Sequence, residues 1–212
     1  MRMSRSALMA LLVTMLAGLP ARAQQEPPTP ETVAFTERML GGPPAPGKAK
    51  SYACFVRTYD AAHLASHPQQ KVSAMALLIT VEKDGDDPQT RSFRLGLKYR
   101  NRSGDFDSSG YCGSARSEND GKRNPRMGCS VDCDGGGIDL ALTPDNKSAM
   151  LYVESVRIWR NNKPDDEASA LSLVGGADDR VFRLDRTTID QCRALVHDRK
   201  ELAAMRDVSK RR

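Results

Sequence analysis

The chain has 212 residues, 32 of them Lys or Arg and 27 Asp or Glu, for a formal net charge of +5, and only 5% are aromatic. That length suits a single domain, and the weak charge imbalance lacks the basic footprint expected of a nucleic-acid-binding protein. With so few aromatics the core must rest on Leu, Val, Ile, Met and Ala, and the five cysteines become candidate staples.

Residues 1–23 begin with Arg2 and Arg5, continue through an apolar run over residues 7–19 and end in Ala21-Arg22-Ala23. This pattern predicts a secretory signal peptide cleaved after Ala23. The apolar run has 13 residues, whereas a spanning helix needs about 20. No cysteine follows it to carry a lipid, and no later segment is long and apolar enough to span a bilayer. The expectation is an exported periplasmic or extracellular protein that is not an integral membrane protein. Loss of the leader removes Arg2, Arg5 and Arg22, leaving 29 basic against 27 acidic residues, a net charge of +2; nucleic acid is not expected as a partner.

Residues 24–50 read as a Pro/Gly-rich arm and linker with one helical island. Thr29 can cap it, Pro30 suits the first helical position, and Gly41-Gly42 ends it. Its apolar residues Val33, Ala34, Phe35, Met39 and Leu40 do not form one stripe, which predicts a peripheral arm that either docks on the body or stays mobile. Residues 51–212 read as one β-rich domain. The segment 51–60 is strand-like, and residues 60–67 suggest a short helical turn. Residues 71–82 are apolar on both parities, the mark of a strand covered on both faces. After a turn at 84–88, residues 92–100 alternate as a half-buried antiparallel strand.

A polar loop spans 117–126. Ile138, Leu140 and Leu142 then alternate, residues 143–147 make a turn, and Ala149, Leu151 and Val153 begin the return strand of a hairpin. The parity changes at Val156 and Ile158, which predicts a bulge near 154–156. A further strand is expected over 180–184. From Thr187, apolar residues at Ile189, Cys192, Leu195, Val196, Leu202 and Met205 predict a C-terminal helix. The fold class expected is mainly β, an antiparallel β-sandwich or barrel with short N-terminal and C-terminal helices. The alternative is an α+β domain whose terminal helix covers one open sheet.

Five cysteines allow two disulfides and one spare thiol. If residues 129–133 are extended, their ends stand about 13 Å apart, too far for a disulfide. Cys112 is therefore expected to pair with Cys129 or Cys133 across the polar loop, and Cys54 with Cys192. Pairing Cys112 with Cys129 leaves Cys133 as the free thiol. Cys129 and Cys133 have three residues between them, not the two of a thioredoxin-like redox motif.

Asp105-x-Asp107-x-Ser109-Gly110 has the opening spacing of a calcium-binding EF-hand loop, but its twelfth position, where a bidentate Glu belongs, is Arg116. Asp132-Cys133-Asp134 followed by Gly135-Gly136-Gly137 is similarly acidic and glycine-rich. A looser calcium site is the one cofactor expectation, with Asp105, Asp107, Asp132 and Asp134 as candidate ligands. The competing reading is that of solvated turns in which glycine supplies positive φ.

His63 and His67 are four residues apart and would share a helical face as two legs of a transition-metal site. His197 has no evident partner. Trp159, between Arg157 and Arg160, reads as core or as an exposed recognition residue. No Gly-x-Ser-x-Gly elbow or phosphate-binding loop is present. These features lead to a binding or interaction module for a protein or small ligand, with a secreted hydrolase or a calcium-stabilised structural protein as alternatives, and no catalytic residue is nominated.

Overall fold

The computed structural model describes residues 28–44, 50–83, 89–117, 125–160 and 170–209. The leader, the turn at 84–88, most of the polar loop and the last three residues lie outside the described residues. The strands are β1 (Lys50–Thr58), β2 (Val72–Glu82), β3 (Thr90–Tyr99), β4 (Phe106–Arg116), β5 (Arg126–Ser130), β6 (Gly136–Leu142), β7 (Ser148–Arg160), β8 (Ala170–Val174) and β9 (Val181–Thr187). The helices are α1 (Pro30–Leu40), α2 (Ala61–Ser66), a 3-10 helix (Ile189–Leu195) and α3 (Arg199–Ser209). None of the described helices is long and apolar enough to cross a membrane.

All strand pairings are antiparallel, and they close on themselves. β1 to β6 pair in sequence order, β6 pairs β7, β7 pairs β9, and β9 pairs β1, so eight strands form a ring. β8 lies outside it, on the second half of β7. The long β7 serves two sets of partners because the register shifts as Gly137 meets Ser155 and Ile138 meets Val153, leaving Glu154 as the extra residue. This is the bulge that the change of parity predicts.

The interior is filled. Phe55, Leu77, Ile79, Phe93, Leu95, Phe106, Leu140, Leu151, Phe182 and Leu184 belong to one buried cluster, so the barrel is a packed core and not a ligand cavity. Trp159 is a core residue, 8% exposed, with no hydrogen-bond partner for its indole N–H. A second cluster lies on the outer face, where Tyr52, Cys54 and Leu78 meet Ile189, Cys192, Leu195 and Met205. That outer layer is why residues 71–82 are apolar on both parities.

Of the two outcomes open to the arm helix, docking is the one observed: Thr32, Phe35, Thr36, Met39 and Leu40 are buried, and Phe35, Met39 and Leu40 join the barrel core. Its buried stripe follows the three- and four-residue spacing of a docked helix once the two threonines are counted. Thr36 Oγ1 donates to the Thr32 carbonyl at 2.7 Å, and Thr32 Oγ1 accepts from the Ala115 amide at 3.0 Å. The polar atoms of this face are therefore satisfied in place.

The C-terminal segment is not one helix. The 3-10 turn ends at Val196, which is extended (φ −117, ψ 122). Asp198 then starts α3 by accepting from the Glu201 amide at 2.7 Å. Two anchors hold the layer: the Cys54–Cys192 disulfide and a two-pronged pair from Arg94 to Glu201 at 3.0 and 2.9 Å. Leu195 lies over Gly96, where an added Cβ would come within 2.5 Å of the Leu195 side chain.

Under this layer Tyr52 is 1% exposed and its hydroxyl has no hydrogen-bond partner. Burial, reinforced by the Glu201 carboxylate, pushes its pKa up to about 12. Below pH 10 both folded and unfolded chains keep this proton; above it the unfolded chain releases it first, so the contribution is lost as pH rises from 10 towards 12. At pH 11, Tyr52→Phe is expected to gain about 1 kcal/mol relative to the wild type beyond any difference at pH 8, measured by urea unfolding at the two values. An equal difference at both would contradict this.

Candidate binding site

The residues singled out in the sequence disperse over the barrel. Asp105 forms an exposed ion pair with Lys98 at 3.3 Å, while Asp132 and Asp134 lie in the turn between β5 and β6. That turn closes with the Gly135 amide donating to the Asp132 carbonyl at 3.3 Å. Its positive φ values fall on Cys133 (55°) and Asp134 (57°), with Gly136 (68°) just beyond. Two positive φ values at the central positions define a mirror-image hairpin turn, so glycine supplies only part of the bend. Among the described residues, no group of three or more His, Cys, Asp or Glu side chains is placed to hold a metal ion.

Cys112 pairs with Cys129 across the β4–β5 ladder, Cα atoms 3.9 Å apart, and Cys133 is free and exposed. Two disulfides fit an oxidising compartment. His63 and His67 stack on each other at 4.1 Å, with Tyr59 stacked on His63 at 4.7 Å. His63 Nε2 lies 2.9 Å from Gln70 Oε1, and His67 Nδ1 lies 2.9 Å from the His63 carbonyl. One ring nitrogen of each, His63 Nε2 and His67 Nδ1, is thus engaged locally, and beside them fully buried Asp179 accepts from the amides of Lys71 (2.8 Å) and Val72 (3.4 Å) where β2 begins.

Two of the concavities among the described residues are large enough to hold a ligand. One is a cleft of about 640 Å³ beside the 3-10 helix, floored by Ala74, Ala76 and Gly96. It brings His197 to the same wall as Asp105 and Asp107, which the sequence separates by some ninety positions. Much of its charge is already committed, since Arg57 pairs with Asp185 at 2.9 Å and Lys98 with Asp105. Asp185 is held below the usual carboxylate range, first by the Ser148 hydroxyl and then by Arg57 and Arg183. This end of the cleft is a structural network.

The other is a trough of about 860 Å³ across the outer faces of β4, β5, β6 and β7. Its floor is glycine, including Gly113 on β4 and Gly128 on β5. Arg126, Asp139, Tyr152, Glu154 and Arg180 stand around it. The Arg126 guanidinium lies 4.0 Å from the centre of the Tyr152 ring, a cation–π stack. Among the described residues none of Arg126, Asp139, Glu154 and Arg180 is engaged in an ion pair.

The glycines of this region differ in what they do for the fold. A Cβ on Gly136 or Gly137 would come within 2.1 or 2.2 Å of a neighbouring carbonyl oxygen, so strand packing demands them. Gly113 would meet nothing closer than 3.9 Å, and Gly128 only the carboxylate end of Asp139 at 3.3 Å. Neither has positive φ. Glycine inside a strand weakens it and often marks close approach of a ligand or another backbone. Gly113 falls in the register break between Cys112 and Ala115 on the β4–β5 ladder, a bulge that glycine accommodates, but no neighbouring atom demands that its side of the wall stay bare.

The signal for this site was present in the sequence as glycines at single strand positions, away from any turn; the polar residues around them carry no motif. No family model, curated protein or solved structure matches the chain.

Proposed function

We propose that the chain is an exported binding module whose ligand lies in the trough over β4 to β7. The observation that carries this reading is the bare floor at Gly113 and Gly128, kept open between charged side chains that form no ion pair among the described residues. The packed interior directs a ligand to the outer wall, and ligand sites of this kind are concave with a few converging polar groups. The signal-like leader and the two disulfides support export.

Filling the floor tests it. Gly113→Leu with Gly128→Leu adds side chains to an outward face, so the barrel should keep its thermal midpoint or gain slightly, since glycine disfavours strand by about 0.5–1 kcal/mol. The immobilised wild-type chain is expected to retain material from an envelope extract of its producing cell and release it chemically unchanged, whereas the double variant retains none. Equal retention by the folded variant would move the site elsewhere, and release of cleaved product would favour a hydrolase.

A further inference from the structure

We infer that the trough takes a neutral oligosaccharide, an inference that rests on the trough being the binding site. Four ligand classes could enter an open groove on a sheet, and three of them lack what they need here.

An extended peptide docks on a sheet by adding a strand to a free edge. β6 and β7 are each paired on both sides at the trough, and β4 and β5, whose ladder is broken only by the bulge after Cys112, are held between β3 and β6, so the floor contains no sheet edge. A polyanion requires a surplus of Arg and Lys, but Arg126 and Arg180 are balanced by Asp139 and Glu154. A lipid chain requires a continuous apolar area; Ile138 and Val153, though they border the trough, are buried in the barrel, and Val181 is the one exposed aliphatic side chain among its described lining residues.

A neutral polyhydroxylated chain fits what remains. Each hydroxyl donates and accepts, and a carboxylate accepts while a guanidinium donates. Asp139, Glu154, Arg126 and Arg180 supply both roles in charge balance. Sugar rings also present C–H faces, for which an aromatic face is the natural partner. Tyr152 stands at the β7 side. At the β4 side Tyr111, 58% exposed, shares the outer face with Gly113 and is directly opposite Ser130, which lines the trough. From β4 to β7 the floor spans three strand spacings, about 14 Å, longer than one hexose. Bare glycine lets such rings lie flat against the backbone.

The test is titration calorimetry on the mature chain with maltotetraose, cellotetraose and chitotetraose, alongside a sulfated heparin tetrasaccharide and an extended hexapeptide. At least one neutral tetrasaccharide is expected to bind with a Kd of about 1 mM or tighter. Asp139→Asn, an exposed isosteric change that preserves the fold, should weaken it about 10-fold, and Tyr111→Ala by a similar factor. Saturation by the sulfated sugar or the peptide alone overturns the ligand class, as does silence from all three neutral sugars. If the neutral sugars fail while the glycine-filled variant still loses envelope retention, the trough stands and the saccharide falls; if retention is unchanged, both fall.

Discussion

Replacing Cys54 and Cys192 with alanine is expected to destabilise the chain by about 5 kcal/mol, the largest effect of any covalent change available to it. The bond joins residues 138 positions apart, and in the chain-entropy account the restriction it places on the unfolded state grows with the length of the loop closed. It also ties the 3-10 helix to β1 above a cluster containing Tyr52, Leu78 and Leu195. Loss of the bond therefore frees a layer and loosens the unfolded chain together. Cys112–Cys129, closing 17 positions within one pair of neighbouring strands, should contribute about 3 kcal/mol. Urea unfolding of the two double variants under oxidising conditions measures both; a smaller loss for the long closure than for the short one would contradict this ordering.

The second large effect is expected at Arg186. Its guanidinium donates to the carbonyls of Met39 (2.8 Å), Arg38 (2.9 Å) and Asn146 (3.0 Å) and lies 4.7 Å from the Phe55 ring centre. Two of those carbonyls end α1, where the helix dipole is negative and backbone acceptors lack helical partners. Arg186→Ala would take this donor from all three carbonyls, leaving Arg38 only the Gly41 amide at 3.3 Å, and should destabilise by about 3 kcal/mol. Arg186→Lys should recover only part of that, because one ammonium cannot reproduce a planar fork. Amide exchange in α1 should accelerate in Arg186→Ala well beyond exchange in β2 and β3. A uniform acceleration would mean that Arg186 supports the barrel as a whole and not the docking of this helix.

Much of the fold was legible because strand parity and turn chemistry are local. Residues 92–100 alternate in the sequence and in β3, and Thr143 to Lys147 forms a turn in which Asp145 accepts from Thr143 Oγ1 and the Lys147 amide. Spacing narrowed the disulfides without settling them: it excluded a bond between Cys129 and Cys133 and left Cys112 to pair with either, and the structure joins it to Cys129. The docking of α1 stayed open because its apolar residues alone make no stripe: Thr32 and Thr36 complete its buried face, Thr36 by donating to the Thr32 carbonyl and Thr32 by accepting from the Ala115 amide. The break after the 3-10 helix has no periodic signature, because apolar positions on either side keep helical spacing. The trough was hidden for a different reason. Its residues come from four strands, and a glycine that leaves room for something outside the chain looks, in sequence, the same as one that leaves room for a neighbouring strand.

The order of the cysteines along the chain has a kinetic consequence. On the proposed export with the N-terminus leading, Cys54 would reach an oxidising compartment with Cys112, Cys129 and Cys133 before its native partner Cys192. The unmatched thiol of Cys133, exposed and four residues beyond Cys129, is at hand to attack any disulfide formed prematurely, since exchange proceeds through thiolate attack on a disulfide sulfur. Folding yield should then depend on disulfide isomerisation more than on oxidation, and a thiol with no place in the finished barrel acquires a part in reaching it.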